Sequence, residues 1–236
     1  AALRARGFSI AWHRRASSQA GASQAIGVID LHLHTTASDG LSTPDALVRE
    51  AAAAGLRTIA VTDHDTVAGV TAAAAAAMRA GLTSVPGIEM TASAAGRDLH
   101  ILGYYLDIDD VGLLAFLAAR RDERRARVLA IGERLRAIGE PVDLASILDV
   151  PPASGRALCR PAVARALVAA GFAADISDAF HRYLAEGRPA FVVRPGVPPA
   201  DVITRIHDAG GLASLAHPGK MHVDTLVPAG VAAGLD

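Results

Sequence analysis

The fold is indicated by residues 26–40, which read IGVIDLHLHTTASDG. The segment Ile26–Leu33 is a short β-branched run of the kind that forms a strand. It is followed by a predicted helix at Ser42–Ala54, which has a capping hydroxyl at its start and Gly55 as its stop. The apolar run Leu56–Thr62 then begins the same pattern again. Strand, helix and strand in this order predict parallel pairing through a crossover helix.

The alternation continues beyond the second strand. A further alanine-rich helix is expected at Thr66–Ala80, and further strands at Leu82–Ile88 and Leu99–Leu106. The sequence therefore predicts the α/β class with a parallel sheet.

Four parts of the chain differ in composition. Residues 1–25 carry four arginines and no acidic residue and are expected to be a disordered or transit-like tail. Residues 26–109 form the first part of the α/β pattern, residues 110–190 a helical insertion, and residues 191–236 the return to the sheet. The chain ends where this pattern calls for one more strand, so the domain is expected to be truncated there.

Composition excludes several classes of protein. With 236 residues, 51% hydrophobic residues and a net charge of −1, the chain is neither mainly disordered nor basic enough to wrap nucleic acid. Its single cysteine, Cys159, excludes an intrachain disulfide and a cysteine-based zinc finger. No stretch reaches the ~20 apolar residues of a membrane span. The expected location is cytoplasmic, and the basic tail leaves organelle targeting open.

Side chains that can bind a metal ion stand at the end of each predicted strand. Carboxyl ends of parallel barrel strands converge on one rim, and a His-x-His pair on a strand places both imidazoles on one side. The predicted ligands are His32, His34, Asp39, His64, Glu89, His100 and His217. These donors suit two or three divalent ions, with Glu89 as a bridge. Mn²⁺ is the expected ion, and Zn²⁺ and Fe²⁺ are compatible with the same donors.

The candidate ligands lie in five short motifs: DLHLHTTASDG at 30–40, TDHDT at 62–66, GIE at 87–89, DLHILGY at 98–104 and AHP at 216–218. Together these motifs resemble the polymerase-and-histidinol-phosphatase (PHP) superfamily. The segments 160–168, 183–194 and 206–218 are similar to the subgroup that contains nucleoside 3′,5′-bisphosphate phosphatases and a 5′-to-3′ exoribonuclease. The resemblance implies a distorted (β/α)7-type barrel, incomplete at its C-terminus, with a trinuclear metal site and a small helical insertion.

Two positions depart from the family pattern. Ala162 stands where the family usually has a histidine after Arg-Pro, and a final Asp-x-His metal motif has no counterpart before Asp236. The second departure implies that the chain is a fragment.

The resemblance implies a hydrolase of phosphoric esters. The expected substrates are nucleotide phosphomonoesters such as 3′,5′-bisphosphonucleotides, or short RNA attacked from its 5′ end. A metal-bridging hydroxide is the expected attacking group, so no protein nucleophile is predicted. The same resemblance points first to Arg160 and Arg194, and next to Arg156 and Arg182, as residues that bind substrate phosphate.

Other charged residues receive supporting roles. Asp63 and Asp65 are expected either to orient the ligating imidazoles or to cap local turns. The arginines at 120–127 are interleaved with acids and are expected to form an exposed, salt-bridged helix face.

Three alternatives remain open. The chain could be a histidinol-phosphate phosphatase, although its helical insertion argues against this. It could be an amidohydrolase-type C–N hydrolase, but its only lysine, Lys220, follows the last histidine motif instead of lying in mid-barrel. It could also be an inactive metal-binding domain that supports a partner. No obligate protein partner and no membrane partner is inferred.

Overall fold

The computed structural model describes residues 28–94, 97–151, 154–218 and 234–236. The predicted tail at 1–25, the first residues of the predicted strand Ile26–Leu33 and most of 219–236 lie outside these ranges. Within them, each helix is too short or too polar to cross a lipid bilayer.

The first half of the sheet consists of βαβ units, as predicted. In chain order the elements are β1 (Val28–Leu33), α1 (Pro44–Ala53), β2 (Leu56–Val61), α2 (Val70–Ala80) and β3 (Thr83–Ala94). The three strands pair in parallel. The Thr43 hydroxyl accepts a hydrogen bond from the Ala46 amide and starts α1, while α2 ends at Gly81 in the left-handed conformation that glycine adopts readily. Both helices pack their small apolar faces against β2.

The second half of the sheet differs from the prediction of parallel strands. β4 (Arg97–Tyr104) pairs antiparallel with β3, and β5 (Leu212–Leu215) pairs antiparallel with β4. The reason is that only residues 95–96 separate β3 from β4, and so short a connection permits a hairpin but no crossover. The strand order is β1-β2-β3-β4-β5, which makes a curled half-barrel of the predicted α/β class.

Helices dominate the segment between β4 and β5. The elements are α3 (Val111–Ala137), α4 (Ala145–Leu148), α5 (Arg160–Ala169), α6 (Ile176–Ala179), a π-helical turn at Phe180–Leu184 and α7 (Pro199–Asp208). The start of α3 and the whole of α7 pack on the sheet. The end of α3 packs with α5 in a separate hydrophobic core. This second core suits an insertion at 110–190, and the division of the chain into those parts stays a prediction.

Candidate metal centre

The buried carboxylate of Glu89 lies at the centre of a ring of imidazoles. Its Oε2 atom is 3.1 Å from His32 Nε2, 3.1 Å from His34 Nε2 and 3.2 Å from His64 Nδ1. Its Oε1 atom is 2.9 Å from His100 Nδ1 and 3.1 Å from His217 Nε2. Neighbouring imidazole rings in the cluster have centroids 4.7–5.8 Å apart. These residues, together with Asp39, are called the Glu89 cluster below.

Asp39 joins the cluster from the loop after β1. Its two carboxylate oxygens lie 3.3 Å from His34 Nδ1 and 3.5 Å from His64 Nε2. The loop brings Gly40 so close to the His34 backbone carbonyl that a Cβ at this position would collide with it, which explains the glycine. All seven predicted ligands therefore lie at one rim of the sheet, and their assignment as ligands stays a prediction.

The strands bring these residues together in two ways. His34 directly follows the parallel strand β1, and His64 and His217 lie within three positions of the ends of β2 and β5, as expected for carboxyl ends. Glu89 and His100 lie inside β3 and β4, which extend beyond the rim as a hairpin. The expectation that Glu89 and His100 stand at the carboxyl ends of parallel strands is therefore wrong. His100 reaches the rim because β4 runs antiparallel and begins where β3 leaves the barrel.

Asp63 anchors the loop that carries Asp39. Its carboxylate accepts hydrogen bonds from the Thr35 amide at 2.8 Å, the Thr35 hydroxyl at 2.6 Å and the Ser38 hydroxyl at 2.5 Å. None of its described hydrogen bonds involves an imidazole, so the structure favours the turn-capping interpretation over the imidazole-orienting one.

The charges of the cluster favour ionised carboxylates. Burial alone would raise the pKa of Glu89, but the surrounding imidazoles, His64 foremost, hold it far below its usual range. Burial would likewise raise the pKa of Asp39, and the hydrogen bond from His64 lowers it instead. Burial lowers the pKa of His64, which favours the neutral form of the imidazole, the form that can bind a metal ion.

The donor set fits divalent ions. Three overlapping groups bring their ligand atoms within 4.8 Å of one another: His32, His34 and Glu89; His34, Asp39 and His64; and His64, Glu89 and His100. Two buried imidazole nitrogens, His64 Nδ1 and His217 Nδ1, have no hydrogen-bond partner among the described atoms. Nitrogen and carboxylate donors at these positions are those that Mn²⁺, Fe²⁺ and Zn²⁺ accept, and the sharing of His64 and Glu89 between groups suits more than one ion.

A second polar cluster, called the Asp65 cluster below, lies beside the first. The fully buried Asp65 carboxylate accepts hydrogen bonds from Arg124 at 2.7 Å, Arg194 at 2.9 Å and the Thr91 amide at 2.9 Å. Burial alone would raise the pKa of Asp65, and the two guanidinium charges hold it below its usual range. Like Asp63, Asp65 has no described hydrogen bond to an imidazole.

Arg124 completes the Asp65 cluster and was missed by the sequence analysis. It also donates to Thr91 Oγ1, the Leu158 carbonyl and Cys159 Sγ, so it is not on an exposed face as expected for 120–127. The sequence holds a weak signal for its burial. Arg124 is three or four residues from Arg120, Arg121 and Arg127, so these arginines share one side of the helix, and a helix that packs on a sheet turns one side inward.

The four arginines predicted to bind substrate lie in different surroundings. Arg194 is buried against Asp65. Arg160 is half-buried, 3.5 Å from Asp98 and over the Phe180 ring. Arg156 is exposed and lines a cavity, and Arg182 donates to the Phe172 carbonyl within the insertion. Their roles in binding stay predictions.

Comparison with known proteins agrees with this geometry. The profile of the PHP domain matches residues 30–137. The 5′-3′ exoribonuclease Rnm of Salmonella typhimurium is 40% identical over 195 residues, which cover 82% of this chain and 66% of that protein. The 3′,5′-nucleoside bisphosphate phosphatase of Chromobacterium violaceum is 35% identical over 81% of this chain and 67% of that protein. The chain thus spans about two thirds of the length of these curated relatives.

Two solved structures share the fold. An amidohydrolase from Chromobacterium violaceum, with bound sulfate and no metal, superposes with a TM-score of 0.81 at 35% identity, over 88% of this chain and 75% of that one. A structure from Bifidobacterium adolescentis, assigned as a metal-dependent phosphoesterase, superposes with a TM-score of 0.80 at 31% identity, over 89% of this chain and 76% of that one. These similarities confirm the prediction of a PHP-type barrel and the prediction of a relationship to hydrolases of phosphoric esters. The chain belongs to the PHP family of metal-dependent phosphoesterases.

Proposed function

We propose that the protein hydrolyses phosphomonoesters of nucleotides, such as 3′,5′-bisphosphonucleotides, or short RNA from its 5′ end, with two or three divalent ions held by the Glu89 cluster. The proposal rests chiefly on one observation, the contact of both Glu89 oxygens with five imidazoles at 2.9–3.2 Å. The names of the relatives in Salmonella and Chromobacterium support the choice of substrate class.

The residues of the chain divide the work between holding ions and fixing their positions. His32, His34 and Glu89 would form one set of ligands, and Asp39 and His64 would complete a neighbouring set. His100 and His217 approach the other oxygen of Glu89, so this carboxylate would have one oxygen available to each of two ions. Divalent ions held by these residues would supply charge neutralisation for the phosphoryl group and the leaving oxygen and would make water a stronger nucleophile at neutral pH.

Asp63 keeps the donors in place while a substrate binds. It ties the backbone at Thr35 and the hydroxyl of Ser38 to the end of β2, so the loop that bears Asp39 cannot drift from His64. Among the predicted arginines, Arg160 is half-buried near the Glu89 cluster, and a phosphate that bound it would compete with its present partner Asp98, 3.5 Å away and two residues before His100. Its planar guanidinium suits bidentate binding of phosphate oxygens.

A phosphate-release assay tests this proposal. The full-length protein loaded with Mn²⁺ should release phosphate from adenosine 3′,5′-bisphosphate. His34→Ala should reduce kcat/KM by at least about 100-fold, because it removes a donor shared by two ligand groups. His181→Ala, which changes an exposed histidine of the insertion, is the matched control and should leave the rate unchanged. No turnover of any phosphoester by metal-loaded protein would favour an inactive metal-binding domain.

One similar structure gives a reason to keep a second candidate. The Chromobacterium violaceum neighbour is called an amidohydrolase, although it holds sulfate, a tetrahedral oxyanion like phosphate. Assaying a cyclic amide such as dihydroorotate beside the bisphosphate separates the two functions. Turnover of the amide alone would select C–N hydrolysis.

A further inference from the structure

A cavity of about 350 Å³ lies between the insertion and the loop that carries Asp39. Its walls include Arg156 and Arg165, the hydroxyl-bearing Ser146, and apolar side chains of α4 and α5 such as Ile147 and Ala166. The volume is in the range of small-molecule sites, which are typically ~300–1,000 Å³ with a few convergent polar groups. None of the predicted ligands of the Glu89 cluster lines this cavity.

The two guanidinium groups at the cavity have no acidic partner among the residues that the structure describes. Among the ion pairs in the described ranges, none involves Arg156 or Arg165. By contrast, Arg124, Arg127, Arg160 and Arg194 each lie within 4.0 Å of a carboxylate. Two unpaired guanidiniums beside one concave, partly apolar surface form a site for a group that carries both negative charge and a flat or apolar body.

The cavity is fixed in position relative to the Glu89 cluster. Ser38 lines the cavity, and its hydroxyl oxygen is 3.4 Å from Asp39 Oδ1 and 3.5 Å from His34 Nδ1. The Ala157 amide donates to the Ala37 carbonyl at 2.8 Å, which joins the cavity wall to the same loop. A single buried side chain therefore separates the cavity from two predicted metal ligands.

We propose that this cavity binds the part of a nucleotide substrate next to the reacting phosphate, with Arg165 and Arg156 on its non-reacting phosphate and the apolar wall against the sugar or base. The inference rests on the proposed function, because it assigns a second subsite to that same reaction. Nucleotides combine a phosphate with a flat apolar face, and arginine recognises the first through its planar fork.

The test compares substrates with and without a second phosphate in the full-length, Mn²⁺-loaded protein. Arg165→Gln should raise KM about tenfold for adenosine 3′,5′-bisphosphate or for a 5′-phosphorylated tri-adenylate, since one charge-assisted contact is lost. Its KM for p-nitrophenyl phosphate, which has no second phosphate, should change less than twofold. Arg57→Gln, an exposed arginine at the start of β2, is the matched control and should change neither value.

Two further measurements keep the proposal open to refutation. Ala169→Trp adds bulk at the cavity from an exposed position of α5, so it should raise the same KM values without removing a charge. Binding of the tri-adenylate should also depend less on salt in Arg165→Gln, by about 0.7 in the slope of log K against log salt concentration.

Three outcomes separate the possibilities. A raised KM for either two-phosphate substrate supports the subsite and identifies which ligand uses it. Unchanged KM values for both substrates in Arg165→Gln and Ala169→Trp, with normal hydrolysis of p-nitrophenyl phosphate, overturn the subsite alone. Absence of all hydrolysis in the unmodified protein, combined with tri-adenylate binding that neither variant weakens, overturns both the subsite and the proposed function.

Discussion

The Glu89 cluster and the Asp65 cluster are adjacent, and each surrounds a buried carboxylate with nitrogen atoms. The nitrogens around Asp65 belong to two arginines and a backbone amide, which are permanent donors of hydrogen bonds. The nitrogens around Glu89 belong to five imidazoles, which are donors or lone-pair ligands according to their protonation state. The Asp65 cluster is therefore complete as it stands, whereas the Glu89 cluster is suited to receive cations.

The two clusters also link different parts of the chain. The Glu89 cluster joins the ends and hairpin of the sheet strands, while the Asp65 cluster ties the end of β2 to α3 and to Arg194 in the return segment. We infer that Asp65 holds the helical segment against the metal centre. The first cluster then governs activity and the second governs stability, a distinction that the following changes test.

The largest effect is expected from Glu89→Gln. The amide keeps the shape of the side chain but cannot supply a charged bridge between ions, so kcat/KM should fall by at least about 1,000-fold. The free energy of unfolding of the metal-free protein should fall less than in Asp65→Asn, because imidazoles, unlike guanidiniums, can lose their charge when the carboxylate is removed. Urea denaturation measures the free energy of unfolding, and phosphate release measures kcat/KM. A large loss of stability with activity retained would contradict the assignment of activity to the Glu89 cluster.

Asp65→Asn should give the opposite result. Asparagine accepts the left-handed backbone that this position has, with φ of 48°, so the change tests charge and not conformation. It removes the carboxylate partner of the buried Arg124 and leaves Arg194 with only Glu123, 4.0 Å away, which should lower the free energy of unfolding by about 3–5 kcal/mol. Urea denaturation checks this value. A loss below about 1 kcal/mol would show that the arginines find other partners.

The pH dependence of stability sharpens the same contrast. The folded pKa of Asp65 is lowered, so its contribution is fully present above the unfolded pKa of ~3.9 and is lost as the pH falls below it. The unmodified metal-free protein should therefore lose stability faster than Asp65→Asn does as the pH falls from about 4 to about 2. Urea midpoints across this range measure the difference, and parallel curves would contradict the prediction.

The smallest effect concerns Cys159, which contacts Arg124. Burial raises the pKa of the Cys159 thiol to about 12 despite the nearby guanidinium charge. Alkylation by iodoacetamide at pH 8 should therefore be at least about 100-fold slower in the folded protein than in urea, as followed by mass spectrometry. Rapid alkylation without unfolding would mean that the Asp65 cluster opens to solvent.

Local signals in the sequence were enough to predict the Glu89 cluster. His32 lies in β1 and His34 directly follows it, so the two-residue repeat of extended backbone predicts both imidazoles on one side, and His64 follows an apolar run of ordinary strand length. The antiparallel direction of β4 was not predicted, because the residues Ala94 to Arg97 contain no Asn-Gly or Asp-Gly turn signal.

The Asp65 cluster had no comparable signal. Asp65 and Arg194 lie 129 positions apart in the sequence and meet only in the folded chain. Arg124 is one of several similar arginines on α3, and only packing of that helix against the sheet selects which of them is buried. Residues that form ion pairs between distant parts of the chain are therefore harder to predict from a single sequence than metal ligands that are positioned by strand periodicity.

The central claim is that the Glu89 cluster holds divalent ions, and elemental analysis of the purified full-length protein tests it most directly. After dialysis against Mn²⁺ and removal of free ions, two or three equivalents per chain should remain in the unmodified protein and in Asp65→Asn, and fewer in Glu89→Gln. Less than about 0.1 equivalent in the unmodified protein, or equal metal content in Glu89→Gln, would contradict the account.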